Sequence, residues 1–152
     1  MTHTDDIIIK PAFLFAFLKA LPLILLGLSL LFLAWWLSPY LILLSFVFCL
    51  AACYRFIYNR HINYLITTEY IRISQGIFLK RIDQLEMYRI KDYVMTQPFS
   101  LQLFGLMDLL IKSTDPENPV IWLRGIPESD IIDTIRDRVQ EARKHNNIYE
   151  VN

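Results

Sequence analysis

Residues 12–37 read AFLFAFLKALPLILLGLSLLFLAWWL, an apolar run whose only charged residue is Lys19. A helix that crosses a bilayer needs about 20 predominantly apolar residues. The run therefore predicts a first transmembrane helix over 20–37. Pro22 falls in the first turn of that helix, where proline is tolerated because the first amide groups of a helix have no partner within it.

A second apolar run follows after a short break. Ser38-Pro39 separates the runs, and proline disfavours helical geometry in the residue before it. Residues 40–57 then predict a second transmembrane helix, and the short break allows only an antiparallel hairpin. A cleavable signal peptide fits poorly, since its apolar core is shorter and ends at small residues instead of Trp35-Trp36.

The charges around the two spans predict their orientation. Lys10 and Lys19 lie at the outer end of the first span, Arg55 and Arg60 lie at the outer end of the second, and the turn has no basic residue. Because basic residues stay on the cytoplasmic side, both termini should be cytoplasmic. An intramembrane lysine can mark an ion path, but Lys19 is near a helix end, where snorkelling to the headgroups is favoured.

Small residues on the two spans predict where the helices pack. Ser45, Cys49 and Cys53 recur at every fourth position of the second span, and Gly27 lies at a similar depth on the first. Small residues allow close approach of helices in membranes. A metal or redox role for the two cysteines is the alternative, but no histidine or carboxylate is near them in the sequence.

After Arg60 the pattern of apolar residues changes. Short segments now show near alternation of apolar and polar residues, which is typical of β-strands. The final segment from Ile131 has helical spacing instead, with an apolar stripe of Ile131, Ile132, Ile135, Val139 and Ala142. A short helical turn is expected at 99–104, and turns at 67–70, Gln75-Gly76 and 115–119. Strands are predicted around 62–66, 71–73, 77–79, 93–96, 106–113 and 120–124.

This order of elements predicts an α-helical membrane hairpin followed by a mainly β (α+β) cytoplasmic domain. Strands followed by one amphipathic helix favour a curved sheet or partial barrel capped by the C-terminal helix. We divide the chain into a membrane segment at 1–60, a cytoplasmic domain at 61–146 and a tail at 147–152.

The segment from Tyr64 to Gly105, YLITTEYIRISQGIFLKRIDQLEMYRIKDYVMTQPFSLQLFG, together with WLRGIP at 122–127, resembles a known family. It is similar to the bacterial pleckstrin-homology-like (PH-like) domain found beside a two-helix membrane hairpin. The resemblance implies a PH-like barrel with a C-terminal helix and a place in the bacterial cytoplasmic membrane. It implies no catalytic residue. The matching features are Leu65-Ile66-Thr67, Gly76, Arg89-Ile90-x-Asp92, Leu101-Gln102-Leu103-Phe104-Gly105 and Gly125-Ile126-Pro127.

Composition and motifs argue against nucleic-acid binding, a metal site and catalysis. Fifteen basic and fifteen acidic residues give a formal net charge of zero, so nucleic acid is not an expected partner. His3, His61 and His145 are dispersed and lack the spacing of a zinc site. Nucleophile and nucleotide motifs are also absent from the sequence. We expect no enzyme activity, metal or cofactor.

Two functions fit these observations. The favoured one is a membrane-anchored interaction or scaffold domain that forms a homo-oligomer or joins another membrane protein. The alternative is a module that binds anionic membrane lipid, since clustered basic residues near a membrane attract such headgroups. The candidate headgroup residues are Arg72, Lys80, Arg81 and Lys91.

Overall fold

The computed structural model describes residues 6–145, so His3 and the predicted tail at 147–152 lie outside the described residues. Two long helices come first, α1 at Phe13–Trp36 and α2 at Leu41–Arg60. Both are long and apolar enough to cross a membrane, with mean hydropathy of 2.3 and 2.1. The predicted pair of apolar helices is confirmed, although α1 begins before the predicted start at Ala20. Pro22 therefore lies inside α1, and the prediction that it falls in the first turn is wrong.

The remaining elements form two antiparallel sheets and two further helices. One sheet has the order β1-β2-β3-β4 and the other β5-β6-β7. A 3₁₀ turn at Met87–Arg89 links the sheets. The elements are β1 (Ile7–Ile9), β2 (Asn63–Ile66), β3 (Tyr70–Gln75), β4 (Arg81–Glu86), β5 (Ile90–Thr96), α3 (Phe99–Gln102), β6 (Leu106–Ser113), β7 (Val120–Pro127) and α4 (Ile131–His145).

Strand β1 was not predicted. Ile7 pairs with Ile66 and Ile9 with Tyr64, so β1 adds an edge to the first sheet before the chain enters α1. Three consecutive isoleucines show no alternation, and they form a strand because β2 offers its free edge after the hairpin. The two long helices are therefore an insertion between the first two strands of one sheet.

The strand predicted at Ile77 and Leu79 is wrong. Strand β3 ends at Gln75, β4 begins at Arg81, and the residues between them form a loop. Gly76 has a φ of +109°, which only glycine adopts readily, and a Cβ there would overlap the carbonyl oxygen of Leu79. Ile77, Phe78 and Leu79 are consecutive apolar residues without a true alternation, and no strand pairs with them.

The hydrophobic core lies between the two sheets and under α4. Ile131, Ile135 and Val139 of α4 are buried in it, as the apolar stripe predicts. The guanidinium groups of Arg138 and Arg143 donate to the carbonyl oxygens of Ile66 and Ile90, at 2.7 Å each. Because these carbonyls belong to different sheets, α4 connects both sheets. The predicted α+β fold with a capping C-terminal helix is confirmed.

Candidate functional site

The hairpin contacts the β domain through Phe15 and Gly125. The Phe15 side chain is buried in a cluster with Leu101 and Leu106, and a Cβ on Gly125 would overlap its ring. The backbone N–H of Ala12 donates to the Gly125 carbonyl oxygen at 2.8 Å. The hairpin and the sheets therefore meet in direct packing, with no free linker between them.

A β-bulge in β7 makes this contact possible. Met107 pairs with Ile126 and Leu109 with Leu123, so Arg124 and Gly125 face Asp108 alone. An extra residue in a strand bends it and leaves a group unpaired. Here side chains accept the freed donors.

The acceptors in the bulge are a hydroxyl and a carboxylate. The backbone N–H of Arg124 donates to the Tyr64 hydroxyl at 3.0 Å, and that of Gly125 donates to Asp108 Oδ1 at 2.7 Å. Burial raises the pKa of Tyr64 to about 12, because the phenolate would be desolvated. The Tyr64 hydroxyl is therefore neutral and holds the bulge in place at physiological pH.

A cleft of about 450 Å³ opens beside this contact, between the hairpin and the two sheets. We call it the junction cleft. Its apolar lining includes Ile62, Tyr64, Ile73 and Ile121, and its polar lining includes Asn59, Gln75 and Asn118. The cationic residues that line it are Lys19, Arg55, Arg81 and Arg124.

The junction cleft carries a positive charge. Asp83 is its one acidic residue within the described chain, and it pairs with Arg81 at 2.9 Å. Among residues 6–145, no ion pair joins Lys19, Arg55 or Arg124 to a carboxylate. Four cations against one carboxylate favour an anion in the cleft.

Aromatic rings support two of these cations. The Lys19 ammonium lies 5.3 Å from the centroid of the Phe15 ring, and the Arg124 guanidinium lies 4.9 Å from that of Trp122. Such contacts orient a cation without neutralising it. Both groups keep hydrogen-bond donors for a ligand.

The predicted headgroup residues do not form one patch. Arg72 and Gln84 are paired on one face of the first sheet, whereas Arg81 lies on the opposite face with Leu85. The Arg72 guanidinium donates to Gln84 Oε1 at 3.1 Å. Lys80 lies in the β3–β4 loop, and Lys91 lies on β5 in the other sheet. Of the four predicted residues, only Arg81 lines the junction cleft.

Lys19, Arg55 and Arg124 were not predicted as binding residues. From sequence, Lys19 and Arg55 indicate membrane orientation, and Lys19 is also expected to snorkel to the headgroups. Lys19 and Arg55 are separated from the turn of the hairpin by similar numbers of residues, which indicates that the two side chains lie at a similar depth along the hairpin. Arg124 gave no such signal, because only the fold brings β7 to the base of the hairpin.

Three of the predicted helix-packing residues come together. Ser45 Oγ donates to the Gly27 carbonyl oxygen at 2.7 Å, and a Cβ on Gly27 would lie 3.2 Å from Cys49 Sγ. Cys53 lies one turn further along α2 and lines an apolar groove between the helices. Within residues 6–145, no group of three or more His, Cys, Asp or Glu side chains could hold a metal ion.

The family known as the bacterial PH domain matches residues 9–143, a stretch that includes both long helices and every β-strand from β2 onward. The chain belongs to the bacterial PH domain family. No curated protein and no solved structure matches it. In this bacterial PH domain protein, the junction cleft lies where the apolar helices leave the PH-like domain.

Proposed function

We propose that this protein is a non-catalytic, membrane-anchored module whose PH-like domain binds the anionic headgroup of a membrane lipid in the junction cleft. The observation that supports it most is the set of cations there, Lys19, Arg55, Arg81 and Arg124, with Asp83 as the one carboxylate in the described lining. This cluster of cations supports lipid binding, and it could not be identified from the sequence.

The level of the cleft relative to the bilayer also supports a lipid ligand. A hydrocarbon layer of about 30 Å corresponds to about 20 helical residues, so counting back from Trp36 puts its other boundary near Phe17. Lys19 and Arg55 lie within the last turns before this boundary, and both line the cleft. A headgroup of the adjacent leaflet can reach these side chains without leaving the bilayer.

The orientation that we propose puts the PH-like domain and both termini at the cytoplasmic face of the bacterial inner membrane. The basic residues that flank the helices favour it. Anionic lipids give that leaflet a negative surface potential. Ammonium and guanidinium groups would donate to the phosphate oxygens of the headgroup, and the amides of Asn59, Gln75 and Asn118 could donate to its polar substituents.

The test removes positive charge from the cleft and leaves neutral polar side chains in its place. In the full-length protein, Lys19→Gln, Arg55→Gln and Arg124→Gln are combined, and bound phosphatidylglycerol is measured by native mass spectrometry. The wild type should retain this lipid in preference to phosphatidylethanolamine. Because each cation near an anionic surface contributes about 1 kcal/mol, the triple variant should bind it roughly 100-fold more weakly.

The matched control is Arg72→Gln with Lys91→Gln, which removes basic residues outside the cleft and should leave lipid binding unchanged. Equal retention of phosphatidylglycerol by the triple variant and the wild type would refute the proposal. Equal weakening by the control pair would also refute it, since general surface charge would then explain the binding.

A second candidate function is assembly with another membrane helix, which was the interpretation favoured from sequence. An apolar groove of about 410 Å³ runs between α1 and α2 and is lined by Ala20, Cys49, Ala52 and Cys53, among larger side chains. Small residues allow a further helix to approach closely. The groove therefore favours a homo-oligomer or a complex with a second membrane protein.

Filling the groove tests this second function. Two differently tagged copies are co-expressed and isolated together in mild detergent. Cys53→Phe should reduce their co-isolation, whereas Leu43→Phe, an exposed position on α2 outside the groove, should not. If the wild-type copies never co-isolate, self-association is refuted.

A further inference from the structure

Five apolar side chains of the PH-like domain are exposed at the end that faces the hairpin. Phe78 and Leu79 in the β3–β4 loop are 87% and 89% exposed, and Phe99 and Leu103 are 81% and 67% exposed. Phe104, also exposed, follows them. We call these five residues the interfacial patch. Exposed aromatic and aliphatic groups of this size mark a contact surface.

Helix α3 and the turn that follows it carry one part of the patch at the level of the bilayer boundary. Leu101 of α3 is buried with Phe15, and Leu14 and Leu18 of α1 pack against the same cluster. Leu14 and Leu18 flank Phe17, near which the hydrocarbon layer ends if α1 spans the bilayer. The exposed side chains of α3 therefore stand beside α1 at the headgroup region.

The β3–β4 loop carries the other part at the same end of the domain. Strand β2 begins at Asn63, directly after α2, and Asn63 pairs with Ser74. Strand β3 therefore runs toward the base of the hairpin, and the loop after it continues in that direction. Gln75 and Arg81, on either side of the loop, line the junction cleft together with Lys19 and Arg55.

The sequence of the loop suits a lipid surface. Phe78 and Leu79 form its tip, and Lys80 and Arg81 follow immediately. An apolar tip beside cations combines burial among acyl chains with attraction to anionic headgroups. Gly76 holds the loop in a tight conformation, because a Cβ there would overlap the carbonyl oxygen of Leu79. A preformed tip loses little entropy on insertion.

We infer that the interfacial patch inserts into the leaflet that surrounds the base of the hairpin, so that the PH-like domain rests on the bilayer at two points beside its transmembrane helices. The occupant of the patch is the lipid surface itself. This docking requires the hairpin to span the membrane, but it does not require a ligand in the junction cleft. Insertion on both sides of the cleft would bring its opening to headgroup level.

The test uses the full-length protein in liposomes of phosphatidylethanolamine and phosphatidylglycerol. Single cysteines at Leu103 and Phe78 are introduced in a Cys49→Ala, Cys53→Ala background and labelled with an environment-sensitive fluorophore. Lipids that carry a nitroxide near the headgroup should quench both labels, and lipids with a nitroxide deep in the acyl chain should quench them less. A label at Glu69, in the turn at the far end of β3, is the control and should not be quenched.

Either of two results would overturn the inference. Labels at Leu103 and Phe78 that emit as in water, with no more quenching than at Glu69, would mean that the patch is not inserted. Blue-shifted emission without lipid quenching would mean that a protein covers the patch instead. The Lys19→Gln, Arg55→Gln, Arg124→Gln variant should keep the quenching, which separates this inference from the proposed headgroup site.

Discussion

At the residue scale, Gly125 connects the apolar hairpin to the β domain. It has a φ of +62° and no room for a Cβ against the Phe15 ring. Its carbonyl oxygen accepts from Ala12, and its N–H donates to Asp108. Any other residue would have to adopt left-handed geometry and also displace an aromatic ring from a buried site.

Gly125→Ala should therefore destabilise the protein more than a glycine substitution with backbone strain alone. Gly105→Ala is the matched control, because its φ of +61° is similar but, apart from its own chain neighbours, no residue lies within 4 Å of the added Cβ. We expect the control to cost about 1–2 kcal/mol from strain. Gly125→Ala should cost roughly twice as much or more, since removing a buried phenylalanine side chain costs about 3–5 kcal/mol. Thermal unfolding in detergent measures both, and equal losses would contradict the argument.

Tyr64 predicts a dependence of stability on pH. Its pKa rises from 10.0 to about 12 on folding, because burial disfavours the phenolate. The folded state therefore keeps this proton when the unfolded chain has released it. The contribution of Tyr64 to the free energy of unfolding should be fully present below about pH 10 and should be lost as the pH rises through about 12. The slope of unfolding free energy against pH measures it.

Tyr64→Phe is the control for that measurement. The variant should lose the component of the slope between about pH 10 and pH 12. It should also be less stable at neutral pH by about 1–3 kcal/mol, because the backbone N–H of Arg124 loses its acceptor. An unchanged alkaline slope in this variant would assign the effect to other tyrosines.

At the element scale, α1 and α2 pack through small residues and one interhelical hydrogen bond. Ser45 is buried between the helices and donates to Gly27, whereas Ser29 is exposed and donates to Leu26 within its own helix. Hydrogen bonds between membrane helices contribute modestly, since an unfolded helix also finds partners. Close packing around Gly27 therefore contributes alongside the bond.

Ser45→Ala should weaken the hairpin by about 0.6 kcal/mol, and Ser29→Ala should change nothing measurable. Gly27→Val should cost more than either, because its side chain would meet Cys49 Sγ and the Ser45 backbone. Unfolding of the bilayer-reconstituted protein measures the series. A larger effect of Ser29→Ala than of Ser45→Ala would place the contact between the helices elsewhere.

At the scale of the whole molecule, the hairpin is inserted between β1 and β2, which pair with each other. Two strands that pair at the base of a hairpin hold both of its ends at one place. The Arg60 guanidinium also donates to the Pro11 carbonyl oxygen at 3.2 Å, across the same base. The described N-terminal and C-terminal residues therefore lie on one side of the hairpin, with the turn around Ser38 on the other.

Ser38→Cys tests on which side of the membrane that turn lies. In a Cys49→Ala, Cys53→Ala background, a membrane-impermeant maleimide added to intact spheroplasts should label this cysteine. The expectation follows from the basic residues at the outer helix ends and their absence from the turn. Labelling only after lysis would reverse the proposed orientation. A cysteine at Glu69 is the control and should be labelled only after lysis.

Local patterns in the sequence determined much of this architecture. Two long apolar runs, alternation in the middle of the chain and one helical stripe at the end predicted α1, α2, most of the strands and α4. Each signal depends on residues within a few positions of one another, because hydropathy and periodicity are properties of single elements. The resemblance to the PH-like family likewise depends on local segments of the β domain.

The tertiary structure decided which side chains meet. A pleated strand turns successive residues to opposite faces, so register separates Arg72 from Arg81 although both are basic and close in sequence. Residues 7–9 form strand β1 because β2 pairs with them. Residues 77–79 form a loop because no strand pairs with them. Lys19, Arg55 and Arg124 form one cleft because a bulge brings β7 against the hairpin. Contacts between such distant positions depend on the whole packed chain, and no local pattern contains them.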